Sequence, residues 1–257
     1  MWRQGSALPY RGGMAKAAKK TAGKSSPSLM RRITWPLRWV RKWVLRACLL
    51  AIVLAVALVA LFSVVNPPIT HTIWSEQRRL GEVDREWVPL EDIAPVLARS
   101  VVAAEDARFC QHWGIDVTAI RAAIAEGGQR GGSTISQQVV KNVFLWQERS
   151  WFRKALETAL TPLVEAIWSK RRILEVYLNV AEMDEGIFGA EAAARHYFGV
   201  GPDALTARQA ALIAAVLPNP KGRSASRPSK SLRQRAVQIQ DGAATIRADG
   251  RSDCFED

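Results

Sequence analysis

An all-α domain behind one N-terminal transmembrane helix is the fold class the sequence predicts, on three observations. Ala47 to Val65 carries no charge over 19 residues, which at about 1.5 Å rise per residue spans on the order of 28 Å, close to a bilayer's hydrocarbon thickness. Downstream, apolar residues recur at helical spacing in one segment after another, bounded by Ser, Thr and Asp at cap positions. No internal repeat and no run of alternating strand character interrupts them.

The first 46 residues form a basic arm. Met1 to Ser28 is rich in Gly, Ala, Ser and Lys, a composition that buries no core and reads as disordered, and Met14 offers an alternative start. Trp35, Trp39 and Trp43 recur every four residues among Arg38, Arg41, Lys42 and Arg46, an interfacial belt with a basic flank. The anchor, 47–66, is longer than the core of a cleaved signal peptide, and Phe62 and Val64 to Asn66 make a poor cleavage site. It therefore reads as a retained single-pass span of the inner (plasma) membrane, ended by Pro67 and Pro68. The positive-inside rule puts the arm in the cytoplasm and the rest in the periplasm.

Glu76 to Pro89 reads as a polar connection. Ile93 to Phe109 has a helical stripe, and Glu105, Phe109 and His112 continue from Val101 at i+4, i+8 and i+11, so a persisting helix would aim the carboxylate along that stripe. Asp116 caps a helix to Glu126, with Ile120, Ala123 and Ile124 inward and Gly127 as its stop. Trp151 to Trp168 and Lys170 to Asn179 are consecutive helices, the first kinked at Pro162. Glu191 to Phe198 and Thr206 to Val216 follow, the latter capped by Thr206 with Gln209 at the capping-box position. The domain is 67–230; 231–257 reads as a polar tail with one weak amphipathic helix, interrupted at Gly242.

The formal charge of +12 belongs to the arm: residues 1–75 hold 12 of the 36 Lys and Arg and no acid, leaving 24 basic against 24 acidic residues beyond. A neutral domain excludes nucleic acid as a partner. Cys48 lies in the anchor, so the one intramolecular disulfide open to the domain is Cys110 to Cys254, and placing Cys254 in a loose tail argues against it.

Chemistry concentrates between Gly131 and Glu157. Gly127, Gly128, Gly131 and Gly132 permit positive φ and close backbone approach, while Thr134 with Gln137 forms a capping-box pattern that starts a helix, its free N–H groups facing a ligand. Lys141, Arg149, Arg153 and Lys154 suit a diphosphate, and Glu157 among them suits either an ion pair or a divalent metal bridging it. Phe144, Leu145, Trp146, Trp151 and Phe152 are too dense for a solvated surface and read equally as core or as a segment dipping into the membrane. His112 has no second His or Cys at ligand spacing and reads as a packed imidazole before Gly114.

Taken together, Glu105-Asp106-x-x-Phe109-x-x-His112-x-Gly114, Gly132-Ser133-Thr134-x-x-Gln137-Gln138-x-x-Lys141-Asn142, Arg153-Lys154-x-x-Glu157, Lys170-x-x-Ile173-Leu174-Glu175-x-Tyr177-Leu178-Asn179, and the segments Gly189 to Phe198 and Ala210 to Pro220 resemble a known family. It is the glycosyltransferase domain of class A penicillin-binding proteins and their stand-alone relatives, the monofunctional biosynthetic peptidoglycan transglycosylases (glycosyltransferase family 51). The resemblance covers roughly Ile69 to Ser229. It implies a lysozyme-like bilobed domain that polymerises lipid II into β-1,4 glycan with release of undecaprenyl diphosphate, by inversion, in cell-wall biosynthesis. Glu105 would be the general base and Glu157 the second catalytic carboxylate, holding the diphosphate through the cations or through Mg²⁺ or Mn²⁺. Asp106, Ser133, Thr134, Gln137, Gln138, Lys141, Asn142, Arg149, Arg153 and Lys154 would bind substrate; Asp106, beside Glu105, reads as a residue that orients the loop or caps a backbone group rather than one that reacts. The partners implied are lipid II, the growing glycan, membrane lipids and other wall-synthesis or division proteins.

Two positions depart from the family pattern, Leu156 in place of a Lys and Gln209 in place of an acid. No Ser-x-x-Lys stands in the sequence, which implies polymerisation without transpeptidation. A lytic transglycosylase needs only one buried Glu, but its glycan substrate has no diphosphate for the cations. A non-catalytic scaffold would not need Glu105 and Glu157.

Overall fold

The computed structural model describes residues 29–125 and 132–256. The expectations for Met1 to Ser28, for the Trp35 side chain, and for Gly127, Gly128 and Gly131 lie outside the described residues. Two compact units divide the chain, Met1–Ile52 and Val53–Asp257.

The first helix, α1 (Leu29–Phe62), contains Arg38–Phe62, long and apolar enough to cross a membrane. In the first unit Trp39 and Trp43 meet edge to face with ring centroids 6.0 Å apart, and Arg46 lies over the Trp43 ring. In the second unit α1 ends at Phe62, ahead of the two prolines. Arg172 donates to the carbonyls of Phe62 and Val65, so the turn that unwinds the helix is hydrogen-bonded rather than left open. Trp168 Nε1 donates to Val59 O at 2.7 Å.

The second unit is almost wholly helical, as its periodicity predicts. Its helices are α2 (His71–Leu80), α3 (Pro95–Glu105), α4 (Val117–Ala125), α5 (Ile135–Phe144), α6 (Trp151–Ile167), α7 (Lys170–Val180), α8 (Gly189–Phe198), α9 (Ala207–Val216), α10 (Lys230–Ala248) and α11 (Asp253–Glu256). Caps start most of them where hydroxyl or carboxylate residues stand: Thr70, Asp116, Thr134, Ser150, Ser169, Thr206 and Ser229 each accept a backbone N–H. Two helices are largely buried and lie at the centre of the packing. Ala210 to Val216 of α9 are all buried, packed against α3 and α10; α7 buries Ile173, Leu174 and Val176 to Val180, packed against α5.

Three expectations give way. The supposed polar connection contains α2, which buries only Thr72 and Ile73 and so shows little apolar period. A small sheet exists, with β1 (Asp84–Arg85) parallel to β3 (Ile187–Phe188) and β2 (Glu182–Asp184) antiparallel to it, in strands too short to show alternation.

Residues 231–257 are not a tail. Helix α10 passes unbroken through Gly242, where the missing side chain lets α3 approach, since a Cβ would lie 3.2 Å from the Ala103 Cβ. Its face of Leu232, Ala236, Ile239, Ala243 and Ile246 is buried. Phe255 of α11 is 1% exposed and packs on Phe109. Cys254 is bonded to Cys110, with their Cα atoms 5.7 Å apart.

If α10 is part of the core, Ile246→Ala costs about 2 to 5 kcal/mol, the range for truncating a buried aliphatic side chain. Chemical denaturation of the full-length protein measures it; a loss within experimental error would return 231–257 to the status of an appendage.

Candidate active site

Glu105 is the last residue of α3. The helix does not persist to His112, because Asp106 turns out of it with φ −159° and ψ 67° while its N–H still bonds to Val102 O. The Asp106 carboxylate then joins two separate segments. Its Oδ2 accepts the N–H of Ile135, the first residue of α5, at 3.0 Å, and its Oδ1 meets His112 Nε2 at 2.8 Å. Lys170 holds the same loop from behind, donating to His112 O and to Glu165 Oε1, both at 2.8 Å.

Gly114 is needed at its place. It has φ +75°, and a Cβ there would stand 2.5 Å from Thr161 Cγ2 and 2.8 Å from Glu165 Cγ. Thr134 Oγ1 donates to its carbonyl at 2.6 Å. By contrast Gly132, placed with the other glycines for a positive φ, does not adopt one.

The N-terminus of α5 is occupied from within the chain. Thr134 and Gln137 form the capping box, and Asp106 takes the Ile135 N–H, so an internal carboxylate occupies the positive end of the helix. Asp106 and Thr134, expected among substrate-binding residues, line neither cavity described below; their polar atoms are spent on the loop and the cap. Asp106, His112 and Asp116 lie near one another, but Asp106 serves two donors and Asp116 caps α4 and faces Arg108.

The cations do converge. A cavity of about 540 Å³ is lined by Lys141, Arg149, Arg153 and Lys154, together with Ser133, Gln137, Gln138, Trp151 and Glu157. Glu157 is 2% exposed; Arg153 Nη1 donates to its Oε2 at 2.6 Å and Lys154 Nζ to its Oε1. Lys154 also reaches Ser133 Oγ at 3.1 Å. Both Glu157 oxygens are thus occupied by cations, with two further cations on the same cavity. That donor set does not fit a divalent metal.

A second cavity of about 310 Å³ shares Gln138, Lys141 and Gln147 with the first and adds Asn142, Tyr177, Glu182 and Lys221. Lys141 therefore stands between the two. Burial pushes its ammonium pKa down, Glu157 pulls it back up, and Arg153 and Lys154 push it down further; the net shift is downward. Glu105 reaches this wall through Gln138, whose Nε2 donates to its Oε2 at 2.9 Å. Burial raises the Glu105 pKa more than the Gln138 bond, Arg235 and Lys141 lower it, so the carboxyl lies above its ordinary range.

Sequence reasoning missed Gln147, Glu182, Lys221 and Arg235. Arg235 lies in the weak amphipathic helix that the sequence shows there, but a helix read as part of a tail places no side chain near Glu105. Gln147 bonds to Thr72 and Asn142, ties that no spacing reveals. The aromatic segment splits: Leu145 is core, Phe144 packs on Phe62 and Trp168, and Trp151 and Phe152 are 92% and 67% exposed. Their outward direction follows from their place at the first two positions of α6, beyond the Ser150 cap.

The family model described as Transglycosylase matches residues 72–243. The chain is 64% identical over 197 residues to a biosynthetic peptidoglycan transglycosylase of Jannaschia sp. (strain CCS1), covering 77% of this chain and 82% of that protein. It is 53% identical over 179 residues to one of Rhodospirillum centenum (strain ATCC 51521 / SW), covering 68% and 78%. A third, of Pseudomonas fluorescens (strain SBW25), is 49% identical over 204 residues, covering 75% and 85%.

Asp106→Ala leaves the Ile135 N–H and the His112 imidazole without their acceptor, and an unsatisfied buried group costs about 1 to 3 kcal/mol. Denaturation midpoints read this directly, and an unchanged midpoint would show that the clasp does not hold the loop.

Proposed function

The chain belongs to the transglycosylase family, as a peptidoglycan glycosyltransferase of cell-wall synthesis, and on that premise we propose that it polymerises lipid II, with Glu105 as general base. The observation that carries the reading is the convergence of Lys141, Arg149, Arg153 and Lys154 on one cavity whose wall, through Gln138, touches Glu105. Four cations against one carboxylate need an anion, and the diphosphate of a lipid-linked sugar supplies it.

The donor is the growing strand, its diphosphate among the four cations. The acceptor is the next lipid II. Glu105 accepts the proton of its 4-hydroxyl as that oxygen attacks the donor's anomeric carbon from the face opposite the diphosphate. The glycosidic bond forms with inversion, and undecaprenyl diphosphate leaves with its charge held by the cations. Ser133, Gln137 and Gln138 offer hydrogen bonds to the donor on the first cavity, and Asn142 on the second.

A raised carboxyl pKa suits a general base, and Arg235 and Lys141 pull it back towards the charged form that accepts a proton. A hydrolytic reading would leave the cations without a partner. The Cys110–Cys254 bond supports a domain on the oxidising side of the membrane, in agreement with the basic arm on the cytoplasmic side of α1. Exposed Trp151 at the rim of the cavity, beside Phe152, supports a face turned to the bilayer that holds the substrate's lipid.

Glu105→Gln keeps the shape of the side chain and removes proton acceptance, so turnover of lipid II falls by about 10²- to 10⁴-fold, with the melting temperature kept. A variant retaining more than roughly a tenth of wild-type turnover contradicts Glu105 as the base. For the membrane face, Phe152→Ser lowers turnover of lipid II embedded in vesicles and leaves the melting temperature unchanged, because an exposed ring contributes little to the core. A large drop in melting temperature would assign Phe152 to packing instead.

A further inference from the structure

The reaction as drawn leaves one buried polar group beside the base unused, the hydroxyl of Tyr177 on α7. The side chain is 1% exposed, and its O–H donates to Gln138 Oε1 at 3.3 Å. Gln138 Nε2 in turn donates to Glu105 Oε2 at 2.9 Å. Three elements are thereby joined in series: α7 to α5, and α5 to the end of α3.

A carboxamide has a donor end and an acceptor end, and its partners decide which way it faces. An ionised carboxylate accepts only, so the Gln138 N–H has to face Glu105 and its carbonyl is turned to Tyr177. If the phenol were absent, that carbonyl would lose its donor, and nothing on the α7 side would oppose reversal of the amide. Reversal would present a carbonyl oxygen to Glu105, an arrangement that only the protonated carboxyl tolerates.

Resting on the reading of Glu105 as the base, we propose that Tyr177 is a positioning residue: it locks the Gln138 amide with its N–H toward Glu105. Glu105 Oε2 is thereby tied, and Oε1, which no hydrogen bond reaches among the described residues, is left for the incoming hydroxyl. Gln138, assigned to substrate by resemblance, gains a second task as the link between phenol and base.

The remaining charged groups facing Glu105 are Lys141 from α5, Arg235 from α10 and its neighbour Asp106. Lys141 and Arg235 favour the charged carboxylate, and Asp106 opposes it. None of them is hydrogen-bonded to Glu105 among the described residues, so the amide is its one directional partner there.

The test is the pH dependence of kcat and kcat/KM on lipid II for the full-length protein and three variants. Tyr177→Phe moves the acid limb of kcat/KM upward by about one pH unit, which lowers the rate below the limb about tenfold and lets it converge on wild type at alkaline pH. Gln138→Glu, which sets a second carboxylate against the first, moves the limb at least as far. A Tyr177→Phe enzyme with the wild-type limb overturns the proposal, whatever its rate. Should that variant fail to fold, an unshifted limb in Gln138→Glu overturns it equally. Glu105→Gln separates the two levels. If it keeps both rate and limb, the base reading itself is wrong; if it is inactive while Tyr177→Phe keeps its limb, only the positioning role is lost.

Discussion

The pair of hydrogen bonds made by the Asp106 carboxylate is the constraint on which the site depends. One carboxylate, partly stabilised by the positive end of α5, closes the loop through His112 and fixes the start of α5 against the end of α3. Glu105 is its sequence neighbour, and Gln138 and Lys141 lie on the first turns of the helix it holds. The distance between Glu105 and the cations is therefore set by a residue that lines neither cavity. Lys170 and Gly114 serve the same clasp, Lys170 by gripping the His112 carbonyl and Gly114 by letting the loop lie flat on α6.

Charge gives the arrangement its purpose. Glu157 is buried with Arg153 and Lys154 on its two oxygens, and such a cluster is weak as a stabilising device because each ion loses its water. Lys141 is worse placed, since burial and two cations disfavour its charge. An anion entering the cavity would relieve both, favouring the charged form of Lys141 and adding partners for the guanidinium of Arg149. In the proposed reading a diphosphate relieves this tension, and the same cations stand ready for the charge that develops on the leaving group.

Much of this was legible along the chain. The capping box at Thr134 and Gln137 gave the start of α5, and the cations fell within one short segment, so their convergence needed only a turn between two helices. What was not legible depends on partners far apart in sequence. Asp106 occupies the helix end that the glycines and cap had offered to a ligand. Cys254 meets Cys110 across 144 residues, and Arg235 faces Glu105 only because Gly242 lets α10 press on α3. The sheet escaped because two or three residues carry no alternation, and α2 because it buries one narrow edge. In each case local propensity was weak and tertiary packing decided.

The most direct test gives the full-length wild-type protein lipid II carrying a labelled sugar and follows both products. The account predicts β-linked glycan strands, with one undecaprenyl diphosphate released for each bond formed. Lipid II left intact, by a protein that instead cuts finished strands, would contradict it.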